Sequence, residues 1–463
     1  MTARTDKIGP DVGLEKLATY PFAVLSWVGD DGDPVNVAVD AQIDRSAGRA
    51  RFPSPAGFRV PLDREIGLTG SHIRPQPGYG YDERRHVTVW GRPTVDGDRL
   101  ALQPTDAWGW DEQEVPFFEY SERSVGRARR YFDALSAERG TPVRPRLALG
   151  WLTLRATRLP FLTATLLPVV LGIAIAASHG AFSPLAALLT VIGAAFIHLG
   201  VNVANDVFDT LGGADDLNVS PTQYSGGSRV IQYGLVSLRG MAVLSAVCYT
   251  IAGAIGLFLL ATHGSAALLA IGIVGLVVSI GYTAPPLKLV YRGLGEVAVA
   301  LGFGPLMLLG AYVVQTGGTF SWEPLVASVP LALLVAMILY VNEIPDRRSD
   351  AKAGKRTLPV RWPKATVVGF YTAAVAVAFV AVTAGVAGGI LPLPALLALV
   401  GVPLAREVSR GLGGPAYDQP YVLMGVMGRN IRLHMVVGLS LIAAYAIVLA
   451  VSALAPGADL FLA

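Results

Sequence analysis

"NVANDVFDTLGGADD", residues 202–216, closes an apolar run long enough to cross a bilayer and then presents Asp206, Asp209, Asp215 and Asp216 together. In a helix, residues three or four apart share a face, so Asn202, Asp206 and Asp209 project together with Asn205 alongside. Asp215 follows a Gly-Gly turn. Carboxylates at a membrane edge are expensive, which makes them candidates for function rather than packing.

A second stretch, "YVNEIPDRRSDAKAGKRT" (residues 340–357), has the same character: Asn342, Asp346 and Asp350 stand four apart. Their directions drift by only about 40° per step if a helix continues through Pro345. Two such sets at one boundary would repel unless a cation neutralised them. Magnesium favours carboxylate and amide oxygens and is commonly completed by substrate phosphates. Nearby Arg229, Lys288, Arg292, Lys355 and Arg356 suit phosphate recognition, so they are the candidate catalytic cations. His198, one turn before Asn202, reads as a hydrogen-bonded core histidine.

Working outward, the chain of 463 residues is 52% hydrophobic and 15% charged, which averages two unlike regions. Long apolar runs lie after about Leu149, and the boundary falls near "RGTPVRPRLALG" (residues 139–150). At about 20 apolar residues per crossing, nine spans are expected: 159–178, 183–205, 237–262, 265–282, 294–315, 324–345, 366–388, 391–408 and 434–455. Their basic connections alternate sides, since Arg229, Lys288, Arg347, Lys355, Lys364, Arg406 and Arg429 all fall in one set of loops. That asymmetry places those loops, both acidic stretches and the N-terminal region in the cytoplasm. The first residues carry Asp6, Asp11, Glu15 and Lys16, which is not a secretory signal. Cys248 is the single cysteine, excluding an internal disulfide or a CxxC site. A net charge of +3 concentrated in membrane-flanking loops gives no reason to expect nucleic acid.

These motifs resemble the UbiA superfamily of intramembrane prenyltransferases, defined by nine helices and two aspartate-rich motifs. Here those are "NDVFDTLGGAD" and "NEIPDRRSD". Gly213 stands where the usual NDxxDxxxD form has its last Asp, and Asp215 comes two residues later. That spacing is similar to the 1,4-dihydroxy-2-naphthoate prenyltransferase branch, as are "YSGGSRVIQYGLVS" and "YTAPPLKLVYRGLGEVAVALGFGPLMLLGAYVVQTG". The resemblance implies one magnesium on Asn205, Asp206, Asp209 and Asp215 and another on Asn342, Asp346 and Asp350. Both would hold the diphosphate of a polyprenyl donor, with Glu343 beside them and Phe208, Tyr282, Phe303 and Tyr340 flanking the chain. An electron-rich aromatic acceptor would then take the prenyl group, on the menaquinone route if the branch holds. Another phenol, quinone precursor or lipid as acceptor, and a quinone-binding oxidoreductase or transporter, are the alternatives.

Residues 1–140 read as a small β-barrel with a helix. "FAVLSWVGDDGDPVNVAVDAQID" is a hairpin signature, further strands are expected at "RARFPS", "EIGLTGSHI" and "HVTVWGRPTVDGDRLAL", and "SERSVGRARRYFDALSAERG" reads as helix. With "LTGSHIRPQPGYGYDERRHVTVWGRPTV" this resembles the pyridoxamine 5′-phosphate oxidase-like split barrels, many of which bind FMN, usually as dimers. The resemblance implies FMN at Ser71, His72 and Arg74, with Arg84 and Arg85 nearby, and a homodimer through the barrel. The expected domains are a cytosolic split barrel (1–140), a linker (141–158) and a transmembrane bundle (159–458).

Overall fold

The computed structural model describes residues 7–30, 33–75, 81–143, 149–218, 221–455 and 460–462. The residues at 76–80 and 144–148, on which part of the barrel resemblance and of the expected linker fall, lie outside the described residues. The chain divides into two compact units, Met1–Ser124 and Val125–Ala463.

In the first unit, strand β1 is Lys7–Ile8 and helix α1 is Pro10–Leu17. The expected hairpin is β2 (Ala23–Val28) paired antiparallel with β3 (Pro34–Val39), with Ala23 opposite Val39. Period-2 alternation buries Ala23, Leu25 and Trp27 on one face. Then follow β4 (Gln42–Asp44), β5 (Arg49–Pro53), β6 (Ile66–Pro75), β7 (Tyr81–Gly91), β8 (Pro93–Asp96), β9 (Arg99–Leu102) and β10 (Asp106–Asp111). They form a six-stranded sheet, β1-β10-β7-β6-β2-β3, and a four-stranded one, β4-β5-β9-β8, antiparallel throughout. Leu25, Ile66, Leu68 and Val89 from one sheet and Ala50, Phe52 and Leu102 from the other share a single core. β1, β10 and α1 were not anticipated. The "DAWGWD" of β10 carries an Asp at each end and a Gly in the middle, which weakens its strand pattern. Helix α2, Phe117–Arg139, follows.

The second unit is helical: α3 (Leu149–Ala156), α4 (Thr163–Ser178), α5 (Pro184–Leu211), α6 (Ala214–Leu217), α7 (Leu238–His263), α8 (Ala266–Gly281) and α9 (Gly295–Leu301). A π-helical turn, Gly302–Leu306, leads into α10 (Met307–Thr316), followed by α11 (Trp322–Lys352), α12 (Leu358–Arg361), α13 (Lys364–Ala387), α14 (Val402–Gly413) and α15 (Pro420–Leu454). Among the described residues, six of these segments are long and apolar enough to cross a membrane, against nine expected. α4 and α8 are apolar but have 16 residues each, about 24 Å of helix. The stretch expected at 391–408 is a 3-10 segment, Leu393–Gly401, running into α14. Pro392 and Pro394 lack N–H donors and break the regular ladder there.

α11 is the organising element. Buried residues surround it on all sides, and it continues through Pro345 to Lys352, so the second acidic stretch is one helix end. α5 ends at Leu211, where Gly212 and the left-handed Gly213 turn the chain into α6. Ser183, Ser237, Ser265 and Ser321 cap α5, α7, α8 and α11 through their side chains, setting those helix starts.

Candidate active site

The ends of α5 and α11 bring the two acidic stretches to one end of a cavity of about 720 Å³. Asn205, Asp209, Asp215, Asn342, Asp346 and Asp350 line it, and Asp206 does not. Asp206, Asp209, Asp215 and Asp350 are buried and Asp346 is half-buried. So much buried negative charge requires compensation.

Each carboxylate except Asp215 takes its partners from side chains or loop amides. Lys355 Nζ lies 2.7 Å from Asp209 Oδ2 and 4.0 Å from Asp350. Asp209 also accepts from Asn205 Nδ2 (3.2 Å) and from the Tyr291 hydroxyl (2.8 Å). Arg158 Nη2 donates to Asp206 Oδ1 at 2.9 Å. Burial pulls the Lys355 ammonium down, but the charges of Asp209 and Asp350 outweigh it and hold the group well above its ordinary value. The Asp215 carboxyl is pushed well up by burial and then by Asp209 and Asp206.

The segment "YSGGSR" closes the same end through its backbone. Gly226 N donates to Asp346 Oδ2 (2.8 Å) and Ser228 N to Asp206 Oδ2 (3.1 Å), so one loop holds both acidic stretches. Asn218 Nδ2 adds a 2.8 Å bond to Asp346 Oδ1. Gly226 and Gly227 both have positive φ, and a Cβ at Gly227 would stand 2.7 Å from Asp215 Oδ2. Only glycine allows the amide run this close to the carboxylates.

Of the five candidate cations, Lys355 alone lines the cavity. Arg229 is buried and its guanidinium donates to the Asp215 carbonyl. Lys288 lies over the Tyr291 ring, Arg292 bonds the Pro286 carbonyl, and Arg356 is exposed. Arg158 was missed: it lines the cavity, yet in the sequence it is one more basic residue before an apolar run. Its left-handed backbone, φ 51°, is the kind of strain that accumulates at functional sites. Of the four candidate aromatics, Tyr282 and Phe303 line the cavity, whereas Phe208 and Tyr340 do not. Tyr340 is fully buried and donates to the Val367 carbonyl, an ordinary core role.

The donor set is all hard oxygen, which suits magnesium. Asp215 Oδ2 is buried with no hydrogen-bond partner among the described residues. Among those residues, no three acidic, His or Cys side chains converge tightly enough to cage an ion by themselves. The oxygen donors, with the unpartnered Asp215 Oδ2, fit a hard metal ion that phosphate oxygens would complete. Away from this end the cavity wall is apolar, running along α5, α7, α8 and α10 as far as Leu189, Leu259, Leu268 and Val314.

The profile of the UbiA prenyltransferase family matches residues 165–412, more than half of the chain. The chain belongs to the UbiA prenyltransferase family. The 1,4-dihydroxy-2-naphthoate octaprenyltransferase of Mycobacterium tuberculosis is 33% identical over 255 residues, 53% of this chain and 82% of that one. The Escherichia coli protein of the same name is 30% identical over 224 residues, 46% and 68% of the two chains. The 2-carboxy-1,4-naphthoquinone phytyltransferase of Synechocystis is 27% identical over 297 residues, 64% and 92%. With six helices among the described residues long and apolar enough to span a bilayer, this UbiA protein is a multi-pass membrane prenyltransferase.

In the first unit the flavin candidates His72, Arg74 and Arg84 meet carboxylates of the same unit. Arg74 bonds Asp82 through Nε and Nη2, both at 2.8 Å, and lies 3.1 Å from Glu83. His72 Nε2 is 3.4 Å from Glu83, and Ser71 is exposed on β6. Arg84 forms a two-pronged pair with Glu112. FMN finds no support in these pairs.

Proposed function

We propose that this protein transfers a polyprenyl group from its diphosphate to 1,4-dihydroxy-2-naphthoate, a step of menaquinone biosynthesis, with magnesium. The observation that carries the reading is the cavity itself: two acidic helix ends at its polar end and a long apolar wall beyond. The names of the relatives favour this acceptor.

In this reading Asp209 and Asp215, with Asn205, serve one ion, and Asp346 and Asp350, with Asn342, the other. Asp206 acts through Arg158 and the Ser228 amide. Bound magnesium would supply positive charge against the diphosphate. Lys355 and Arg158, drawn toward their carboxylates, are placed to turn to the leaving diphosphate as the allylic carbon–oxygen bond breaks. The apolar wall keeps water from the electron-poor prenyl carbon. A ring carbon of the acceptor then forms the new carbon–carbon bond and loses a proton, or carbon dioxide where a carboxylate occupied that carbon.

Positive charge in the connecting loops supports a cytoplasmic active-site end. The two sheets of the first unit, Met1–Ser124, support a split barrel within residues 1–140, and the helical second unit supports a prenyltransferase bundle over 159–458; α3 (Leu149–Ala156) falls within the proposed linker, 141–158. The test is product mass and diphosphate release from purified protein with geranylgeranyl diphosphate, 1,4-dihydroxy-2-naphthoate and magnesium. Prenylated product lighter by carbon dioxide is expected. Turnover that needs no metal, or product only with another phenol, overturns the metal or the acceptor assignment respectively.

A further inference from the structure

His198 sits on α5 within the cavity wall, 2% exposed. Its Nδ1 lies 2.8 Å from the hydroxyl of Thr165 on α4, itself fully buried, which fixes the ring. Its Nε2 is buried and has no hydrogen-bond partner among the described residues. Leaving such a nitrogen unbonded in a buried site is costly. His434 likewise has no partner on either nitrogen among the described residues, but it does not line the cavity; His198 differs in being part of the cavity wall.

Two further observations bear on what this nitrogen faces. The π-helical turn Gly302–Leu306 brings Phe303 edge-on to His198, with ring centroids 5.6 Å apart. Such π turns recur at functional sites. Phe303 also lines the cavity, so a flat apolar surface adjoins the unbonded His198 Nε2. His198 precedes Asp209 by eleven residues on one continuous helix, about 16 Å along its axis. It is therefore well removed from the diphosphate end and inside the apolar region.

We infer that His198, held by Thr165 and flanked by Phe303, is the acceptor-binding residue that receives a ring hydroxyl of the aromatic substrate on Nε2. In the tautomer that donates Nδ1–H to Thr165, Nε2 accepts and the ring hydroxyl donates, a bond that a methyl ether cannot replace. In a dihydroxynaphthoate, the hydroxyl beside the carboxylate is bonded within the molecule. The remote hydroxyl is the one that needs a protein partner. This inference rests on the proposed aromatic acceptor.

The test is equilibrium binding to the full chain in detergent, together with turnover. The probes are 1,4-dihydroxy-2-naphthoate, its 4-methoxy ether and geranylgeranyl diphosphate, against wild type, His198→Phe and His198→Gln. His198→Phe is expected to weaken the dihydroxy compound roughly fivefold to tenfold. The methoxy ether and the diphosphate should stay within about twofold, and His198→Gln should recover part of the loss. Equal losses for hydroxy and methoxy ligands, or no loss for either, overturn the inference, because a volume effect or no contact would explain them. Wild-type protein that binds both substrates but forms no product would instead refute the proposed function, leaving the His198 comparison readable.

Discussion

The two units handle charge in opposite ways. In the N-terminal unit three of the cations proposed for a ligand already meet carboxylates: Arg74 with Asp82 and Glu83, His72 with Glu83, Arg84 with Glu112. In the membrane unit Asp206, Asp209, Asp215, Asp346 and Asp350 crowd one end of a cavity, and a buried oxygen of Asp215 has no partner among the described residues. Paired charges near water contribute little and ask for nothing more. A buried excess of one sign is tolerable only where a ligand completes it.

The sharpest way to break that contrast is to remove the excess. Asp346→Ala or Asp209→Ala should lower transfer by about 10²–10³-fold while the protein still elutes as a single folded species in detergent. Near-normal turnover in either variant would mean that the carboxylates are structural. Stripping divalent ions with a chelator should abolish turnover, and added magnesium should restore it.

Next in size come the cations. Arg158→Met and Lys355→Met should each slow product formation roughly tenfold to a hundredfold. Lys288→Met and Arg356→Met should stay within about threefold, since neither side chain lines the cavity. Equal losses in all four would return the assignment to the broader basic cluster. Gly227→Ala combines a positive φ with a Cβ 2.7 Å from Asp215. It should cost about 1–3 kcal/mol and reduce activity through displacement of the loop amides, as thermal unfolding and initial rates would show.

The smallest effect belongs to the first unit. Arg84 holds the Glu112 carboxyl below its ordinary range, chiefly by hydrogen bonding. That contribution is complete above the unfolded carboxylate value of about 4.3 and is lost as pH falls through the lowered folded value. Glu112→Gln should therefore weaken β7 and β10 by about 1 kcal/mol near neutral pH, read by hydrogen exchange, with prenyl transfer unaltered.

Much of this was legible in one dimension because periodicity is local. The Ala23–Val39 hairpin follows from alternation around a turn, and the shared face of Asn342, Asp346 and Asp350 follows from helical spacing. Span number was harder to read. Hydropathy registers apolar stretches but not the 16-residue lengths of α4 and α8, nor the 3-10 geometry around Pro392 and Pro394. Proximity along the chain also misleads about charge. Arg356 lies six residues after Asp350 but faces outward, while Arg158 reaches Asp206 from 48 positions away.

The sequence by itself determined that a membrane-spanning helical region carries two aspartate-rich helix ends beside a β-rich unit, because composition and 3.6- or 2-residue periods are written residue by residue. Only the tertiary structure decided which groups meet: Lys355 and Tyr291 at Asp209, the Gly226 and Ser228 amides at Asp346 and Asp206, and Thr165 at His198. Hydrogen bonds form over about 3 Å between atoms that chain closure brings together. Their partners are set by how the helices pack, which no local pattern records.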